Sequence, residues 1–480
     1  MMNSADFIAL APILALAAGA TAVMLQIAIR RSATLTRYTT LLALLIACAV
    51  SFWPELGNGR AVTPLLQADA LALLFSALFC GTAAVCVLLS RNYLPNLSDQ
   101  GDEYYLLMIL ATLGGVVLVY ASHVASLLLG LELLSVSLYA LIAYPSRVPI
   151  AAEAATKYLV LSGGASATML FGFALLYAAS GSLEFGPMAE GLSQSHLGAP
   201  VTTLAAVLIL SGICFKLSAA PFHLWTPDVY EGSPTPVTAL LATVAKAAPF
   251  IALLRMLLDT RLLELSAITE LFSVLAVLSM LVGNLLALQQ KNIKRILAYS
   301  SVAHIGYALI IFVVAQDPAN RALASEAAVF FFCAYLPTTV AAFGLLALLN
   351  PGREGQDYTE VDHVTGLFWR EPQLAILLLI ALLSLAGIPL TAGFIGKFYL
   401  FAAAVAGAHW ILLGALVLGS AIGIYYYLRI IYQMSQKPNQ DSIALELRLS
   451  ARAVVLLLTV AILLLGVLPQ TLMGYIQGMF

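Results

Sequence analysis

The chain has 480 residues and a formal net charge of −2; 62% of its residues are hydrophobic and only 10% are charged. That composition excludes a water-soluble domain, and the sparse, balanced charge excludes a nucleic-acid-binding surface. It predicts an all-α, polytopic protein in a lipid bilayer.

Apolar windows of roughly 17 to 25 residues, enough to cross the hydrocarbon layer, recur fourteen times in the sequence. They fall at 7–29, 38–53, 70–90, 104–121, 124–144, 154–180, 201–232, 236–257, 268–288, 293–314, 326–349, 373–404, 409–434 and 453–477. The loops between them are short, and the longest polar stretch, "NPGREGQDYTEVDHVTGLFWREPQ", is too small for a domain of its own. Residues 1–480 therefore read as a single membrane domain. The first span has only Asp6 before it and no basic flank, so it reads as a retained helix.

Placing the N-terminus outside puts fourteen basic residues on the cytoplasmic side: Arg30, Arg31, Arg37, Arg91, Arg147, Lys291, Lys294, Arg295, Arg353, Arg370, Arg429, Lys437, Arg448 and Arg452. Only Arg60, Arg255, Arg261 and Arg321 fall opposite, which is a positive-inside bias with both termini outside. Cys48, Cys80, Cys86, Cys214 and Cys333 all lie in apolar spans without a CxxC pair, so no metal or iron–sulfur ligation is expected. There is no G-x-G-x-x-G and no Walker loop either; a nucleotide, if one is involved, binds another chain.

Of the 22 basic residues, four lie inside spans: Lys157, Lys216, Lys246 and Lys397. All four are lysines although the loops favour arginine. Arginine stays protonated almost anywhere, whereas a desolvated lysine can give up its proton. Buried ionisable groups at membrane depth face a protein interior or a hydrated path, so a row of lysines points to a proton path. Glu132 lies mid-span in "ASLLLGLELLSVSLYALIAY" and is the natural partner of Lys216. For Lys157, four residues after Glu153, two readings stand: an auxiliary group of the path, or a side chain that snorkels to the interface.

Pro221 predicts a break in the seventh span around "SAAPF". The twelfth span repeats the device in "LAGIPLTAGFIGKF", where Gly387, Pro389, Gly393 and Gly396 precede Lys397. Paired broken spans are the sequence mark of a transport site. Pro221 and Pro389 lie 168 residues apart, Glu132 and His304 172, and Lys216 and Lys397 181. Spans four to eight (104–258) thus read as a copy of spans nine to thirteen (268–434), with three peripheral helices in 1–103 and a final helix at 453–477. Five spans being an odd number, the second copy should be inverted. His304 in "YSSVAHIGY" is then either a relay or a buried imidazole bonded to a neighbouring serine. His223, beside the first break, reads as structural support for freed backbone or as a relay.

Four stretches together carry a family resemblance: "FKLSAAPFHLWTPDVYEGSPTPVTALLATVAKAA", "KNIKRILAYSSVAHIGY", "LAGIPLTAGFIGKF" and "LGLELLSVSLYAL". They resemble the antiporter-like subunits of respiratory complex I, the proton-translocating NADH:quinone oxidoreductase, and their multi-subunit cation/proton antiporter relatives. The stretch "EAATKYLVLSGGASATMLFG", lysine rather than glutamate at Lys397, and a chain ending soon after the fourteenth span are similar to the bacterial chain N branch. The resemblance implies that Glu132 and Lys216 form a coupling ion pair, Lys246 a central link and Lys397 a terminal proton-transfer residue. Lys157 would be auxiliary near the input side, and His304 a candidate relay. It also implies that NADH, FMN, iron–sulfur clusters and quinone are bound by other subunits and no cofactor by this chain. The neighbours would be chains K and M and the lateral helix of chain L, in a bacterial inner membrane with both termini periplasmic. The alternative is a subunit of a multi-subunit sodium/proton antiporter.

Overall fold

The computed structural model describes residues 4–53, 59–94, 101–145, 148–195, 198–349, 359–437 and 449–480. Arg147, His196, Arg353 and Arg448, and with them part of the loop-charge argument, lie outside the described residues, as do residues 350–358 of the long polar stretch.

The helices follow in chain order. The first nine are α1 (Ser4–Ala9), α2 (Ala11–Ile29), α3 (Ala33–Val50), α4 (Ala70–Tyr93), α5 (Asp102–Tyr120), α6 (Val124–Ile142), α7 (Pro149–Ser180), α8 (Phe185–Ser193) and α9 (Gly198–Leu217). The middle group is α10 (Thr226–Gly232), α11 (Thr235–Ala242), α12 (Val244–Asp259), α13 (Ser266–Gln289), α14 (Ile293–Val314) and α15 (Arg321–Leu349). The last are α16 (Leu367–Arg370), α17 (Pro372–Ala386), α18 (Ala392–Ala406), α19 (Trp410–Ser435), α20 (Leu449–Val467) and α21 (Pro469–Gln477). Among the described residues twelve helical stretches are long and apolar enough to cross a bilayer alone. The chain is an all-α, multi-pass membrane protein. Among the described residues the strands form one small antiparallel hairpin, β1 (Arg60–Thr63) with β2 (Leu66–Ala68), whose four- and three-residue strands are too short to register against the hydropathy pattern.

The difference from fourteen uninterrupted spans lies at helix breaks. α9 stops at Leu217 because Ser218 takes a left-handed φ of 62°, three residues before Pro221. The twelfth span becomes two 15-residue helices: Gly387 closes α17 with φ 83°, the amides of Gly387 and Ile388 both donate to the Leu383 carbonyl, and Pro389 cannot continue the helix. The last span bends by 75° between α20 and α21, where Pro469 biases Leu468 away from helical backbone.

The residues divide into two compact units. Unit one takes the described residues of Met1–Val87, Ser98–Leu217 and Val244–Ile268; in it α5 packs on α6, α7 on α9, and α12 on α5 and α9. An Arg255 guanidinium on α12 grips Asp69 through two bonds of 2.7 and 2.9 Å and donates to the Val119 carbonyl at 3.1 Å. Asp69 also caps α4 by accepting from the Ala72 amide at 2.8 Å. Unit two takes the described residues of Leu88–Leu97, Ser218–Thr243 and Thr269–Phe480, with α14 packed against α10, α15, α18 and α19, and α15 against α17, α18 and α20.

Candidate functional site

In unit one, one turn of α6 presents Glu132 and Ser135, and α7 faces them with Ser162 and Ser166. Lys216 occupies the last turn of α9 with its side chain only 3% exposed. Its ammonium donates to Ser135 Oγ at 2.7 Å and Ser162 Oγ at 2.6 Å, while Glu132 Oε1 stands 4.0 Å away. Ser162 also accepts from the Tyr139 hydroxyl at 2.5 Å, and Ser166 donates to Glu132 Oε1 at 2.6 Å. The acid and the lysine are thus close enough to attract each other, with hydroxyls rather than direct contact satisfying both. Glu132 is 45% exposed and Lys216 is buried. A change in the surroundings of the carboxylate therefore reaches an ammonium that water does not screen.

The Lys216 carbonyl is one of the last of α9 and, like all such carbonyls, lacks an intrahelical partner. The fully buried Lys246 of α12 supplies one: its ammonium donates to that carbonyl at 3.1 Å. A cation at a helix C-terminus is also favoured by the helix dipole. The two lysines are therefore joined through backbone, one at the end of the interrupted helix and one capping it.

Unit two uses the same device. Lys397, on α18, donates to the carbonyls of Leu385 and Ala386 at 2.9 and 3.0 Å, the last residues of α17. Its ammonium lies 5.2 Å from the centre of the Tyr307 ring, a cation–π distance. Lys397 thus stands after its break, whereas Lys216 stands before its own. Geometrically Lys397 does for α17 what Lys246 does for α9.

His304 of α14 lies beside a small cavity lined by Phe331, Ala334, Tyr335, Thr338, Ser384 and Gly393 among others. Its Nδ1 sits 2.8 Å from the Ser300 carbonyl, which can only accept, so Nδ1 carries a proton. Ser300 Oγ bonds Tyr427 OH. Tyr426 OH donates to Asn284 Oδ1 at 3.1 Å, and Asn284 Nδ2 to Tyr307 OH at 2.9 Å. Thr338 and Ser384 hydroxyls meet at 3.1 Å across the cavity wall.

At the first break one freed amide and one hydroxyl find partners. The Ala220 amide donates to Ser279 Oγ at 2.8 Å, and Thr226 Oγ1 donates to Ser218 Oγ at 2.6 Å. His223, 5% exposed, packs edge-on to Tyr299 at 6.2 Å. Behind it, Arg295 of α14 pairs with Asp228 and Glu231 of α10 at 2.9 and 2.8 Å, and the buried Lys294 donates to the Glu231 and Ser233 carbonyls. Lys157 pairs with Glu153 at 2.8 Å, one turn earlier on α7, with 42% of its side chain exposed.

Unit one brings together Glu132, Lys216 and Lys246; unit two brings together His304 and Lys397. Sequence reading missed the hydroxyls between them: Ser135, Tyr139, Ser162, Ser166, Ser300, Tyr335 and Tyr427. Their signal was present at helical spacing, since Ser135 and Tyr139 follow Glu132 by three and seven residues, on its own face of α6.

The family described as "NADH:quinone oxidoreductase/Mrp antiporter, TM" matches residues 121–423. A relative from Ectopseudomonas mendocina (strain ymp), "NADH-quinone oxidoreductase subunit N", is 44% identical over 481 residues, 98% of this chain and 96% of the relative. Among solved structures, a chain of respiratory complex I from Thermus thermophilus with bound aureothin superposes with a TM-score of 0.83 at 35% identity, covering 96% of this chain and 98% of that one. A chain of the Mrp complex from Dietzia sp. DQ12-45-1b reaches a TM-score of 0.85, covering 99% of this chain and 97% of that one, at 18% identity, a likeness of fold alone.

Proposed function

The chain belongs to the subunit N family of the NADH:quinone oxidoreductases, within the wider antiporter-like membrane family, and we propose that it moves protons along Glu132, Lys216, Lys246 and Lys397. The observation that carries this reading is the lysine cap at both helix breaks: Lys246 on the α9 terminus and Lys397 on the α17 terminus. Such a cap also satisfies the helix end; it suits a carrier because the same carbonyls hold the lysine in place whether or not it bears the proton.

In this mechanism Glu132 is the element that varies. With the carboxylate near, Lys216 keeps its proton; drawn away, the ammonium loses its counter-charge and the proton passes on. Lys246 takes it up next, and Lys397 releases it from the second half. His304, bonded through Nδ1 to the Ser300 carbonyl, suits a relay into the cavity beside Lys397. Lys157, exposed and paired to Glu153, is an auxiliary group near the entrance, and His223 supports the break.

Two copies of one unit underlie the reading. Gly114 packs on the backbone of Gly130 and Leu134, and Gly283 on that of Tyr299 and Ala303; shifting 114, 130 and 134 by 169 gives 283, 299 and 303. The bridge His123 to Glu184 has a counterpart in Asn292 to Glu360, 169 residues on at its first end and 176 at its second. Both patterns support the duplication.

The redox energy would come from elsewhere in the complex, with NADH, FMN, iron–sulfur clusters and quinone on other subunits and none on this chain. Chains K and M and the lateral helix of chain L are the proposed neighbours, in a bacterial inner membrane with periplasmic termini. The solved Mrp chain, at 18% identity, shares the fold, and the matching family description spans both classes. In inverted vesicles, Lys216→Ala and Lys397→Ala should abolish NADH-driven proton pumping through this subunit. Full pumping by an assembled Lys216→Ala enzyme overturns the reading.

A further inference from the structure

Unit two contains a line of buried hydroxyls outside the lysine path. Tyr230 lies on the short helix α10, after the first break, and is fully buried. Its hydroxyl lies 3.4 Å from Ser301 Oγ of α14, and Tyr335 OH of α15 donates to the same Ser301 oxygen at 3.1 Å. Ser301 is 2% exposed. Tyr335 in turn lines the His304 cavity, its ring 5.5 Å from the imidazole. At the other end, α10 bears Asp228 and Glu231, with side chains 36% and 29% exposed.

We propose that Tyr230, Ser301 and Tyr335 are proton-transfer residues of a feeder branch that runs from α10 to the His304 cavity. The branch rests on the reading of Lys397 as a proton carrier. Before a transfer the Tyr335 hydroxyl, which donates to Ser301, turns its proton to the cavity and Ser301 turns its own to Tyr335; each hydroxyl then accepts a proton on its oxygen and releases its own to the next, one proton enters at Tyr230, one leaves from Tyr335 into the cavity, and no group is changed overall. Ser301 is the joint, because its single oxygen serves both tyrosines. Between transfers the hydroxyls rotate back, as any such chain requires.

A purely structural role would tie α10, α14 and α15 together, and the same hydrogen bonds would serve it. The two roles differ in what each substitution removes. Tyr335→Phe keeps the ring beside His304, tilted by 39° to the imidazole, and removes only the hydroxyl. Ser301→Ala removes the joint, and Ser301→Thr restores a hydroxyl at the same carbon.

The test uses the whole enzyme in inverted vesicles, with assembly checked on native gels and protons pumped per NADH oxidised followed against pH. Removing a positioned proton donor slows transfer by on the order of 10²-fold. Tyr335→Phe and Ser301→Ala should therefore assemble, pump fewer protons per NADH and, as the pH rises and protons to reload the branch run short, lose that ratio at a lower pH than the parent does. Ser301→Thr should recover both ratio and pH profile. Parental ratios and profiles in assembled Tyr335→Phe and Ser301→Ala, with Lys397→Ala inactive in the same vesicles, overturn the branch and leave the lysine path standing. A Lys397→Ala enzyme that pumps normally overturns the path itself and the branch with it.

Discussion

Gly387→Ala bears directly on the second helix break. Gly387 sits at φ 83°, a left-handed conformation that costs a residue with a Cβ roughly 1–2 kcal/mol. Its added methyl would also stand 2.9 Å from Lys397 Cδ and 3.2 Å from Nζ, closer than side chains pack, so the lysine has to move. Moving it endangers the bonds to the Leu385 and Ala386 carbonyls, and a hydrogen bond made by a charged group is worth about 1.5–3 kcal/mol. The strain falls on folding and assembly; the hydrogen-bond part alone corresponds to a loss of about 10- to 10²-fold in a rate that depends on Lys397. NADH-driven quenching of a pH-sensitive dye in inverted vesicles reads the effect. Gly387→Asn serves as the companion, because asparagine tolerates the left-handed backbone yet still crowds Lys397. Gly414→Ala, where an added Cβ meets nothing within 4 Å, is the neutral control. Assembled Gly387→Ala and Gly387→Asn enzymes that pump like the control would refute the argument that the glycine makes room for the lysine.

Asp69→Ala removes the partner of the buried Arg255 guanidinium and the cap of α4. A stranded buried charge costs about 3–5 kcal/mol, so assembled complex on native gels should fall sharply. Asp69→Ser with Arg255→Met, which keeps the cap and deletes the charge, should restore it. Normal assembly of Asp69→Ala would show the pair to be dispensable. His123 caps α6 by accepting from the Ala125 amide at 2.9 Å through Nδ1, which requires a neutral ring. Desolvation holds its pKa below the ordinary 6.5, with Glu184 opposing. Its contribution, about 0.5–2 kcal/mol for a cap, is therefore complete above pH 6.5 and lost as the pH falls through the lowered folded value. Thermal denaturation of the purified complex should show His123→Asn to be less acid-sensitive than the parent, and identical pH profiles would contradict the cap. Lys157→Ala breaks a one-turn surface pair worth about 0.3–0.5 kcal/mol and should leave most pumping intact; a loss as deep as that of Lys216→Ala would place it in the main path.

The bilayer spans and both interruptions were legible because each has a local cause. Apolar length marks a span, and Pro221, Gly387 and Pro389 are backbone instructions that act within a turn. The four lysines stood out because a cation in an apolar run is costly wherever it packs. What each lysine touches was not legible. Lys246 and Lys397 both bind helix-terminal carbonyls, and a carbonyl leaves no mark in the sequence. The offset of 181 paired Lys397 with Lys216, but the backbone shift of 169 that relates the glycine crossings takes residue 216 to 385, the carbonyl that Lys397 caps. Residue identity suggested one correspondence and packing gives another. The serines around Lys216 went unread because a membrane serine commonly bonds its own helix, as Ser137 does with the Leu133 carbonyl at 2.7 Å. Only the approach of α7 and α9 shows that Ser162 faces the lysine. The hairpin 60–68 escaped because strands of four and three residues carry too little pattern.

The central claim, that a buried lysine carries the proton between the two halves, is tested most directly at Lys246. It is 0% exposed, and methionine matches its length without a titratable group. The measurement is the number of protons pumped per NADH oxidised by the reconstituted, fully assembled Lys246→Met enzyme. A ratio well below the parent's, with the complex intact, is what the lysine path predicts; an unchanged ratio would contradict it.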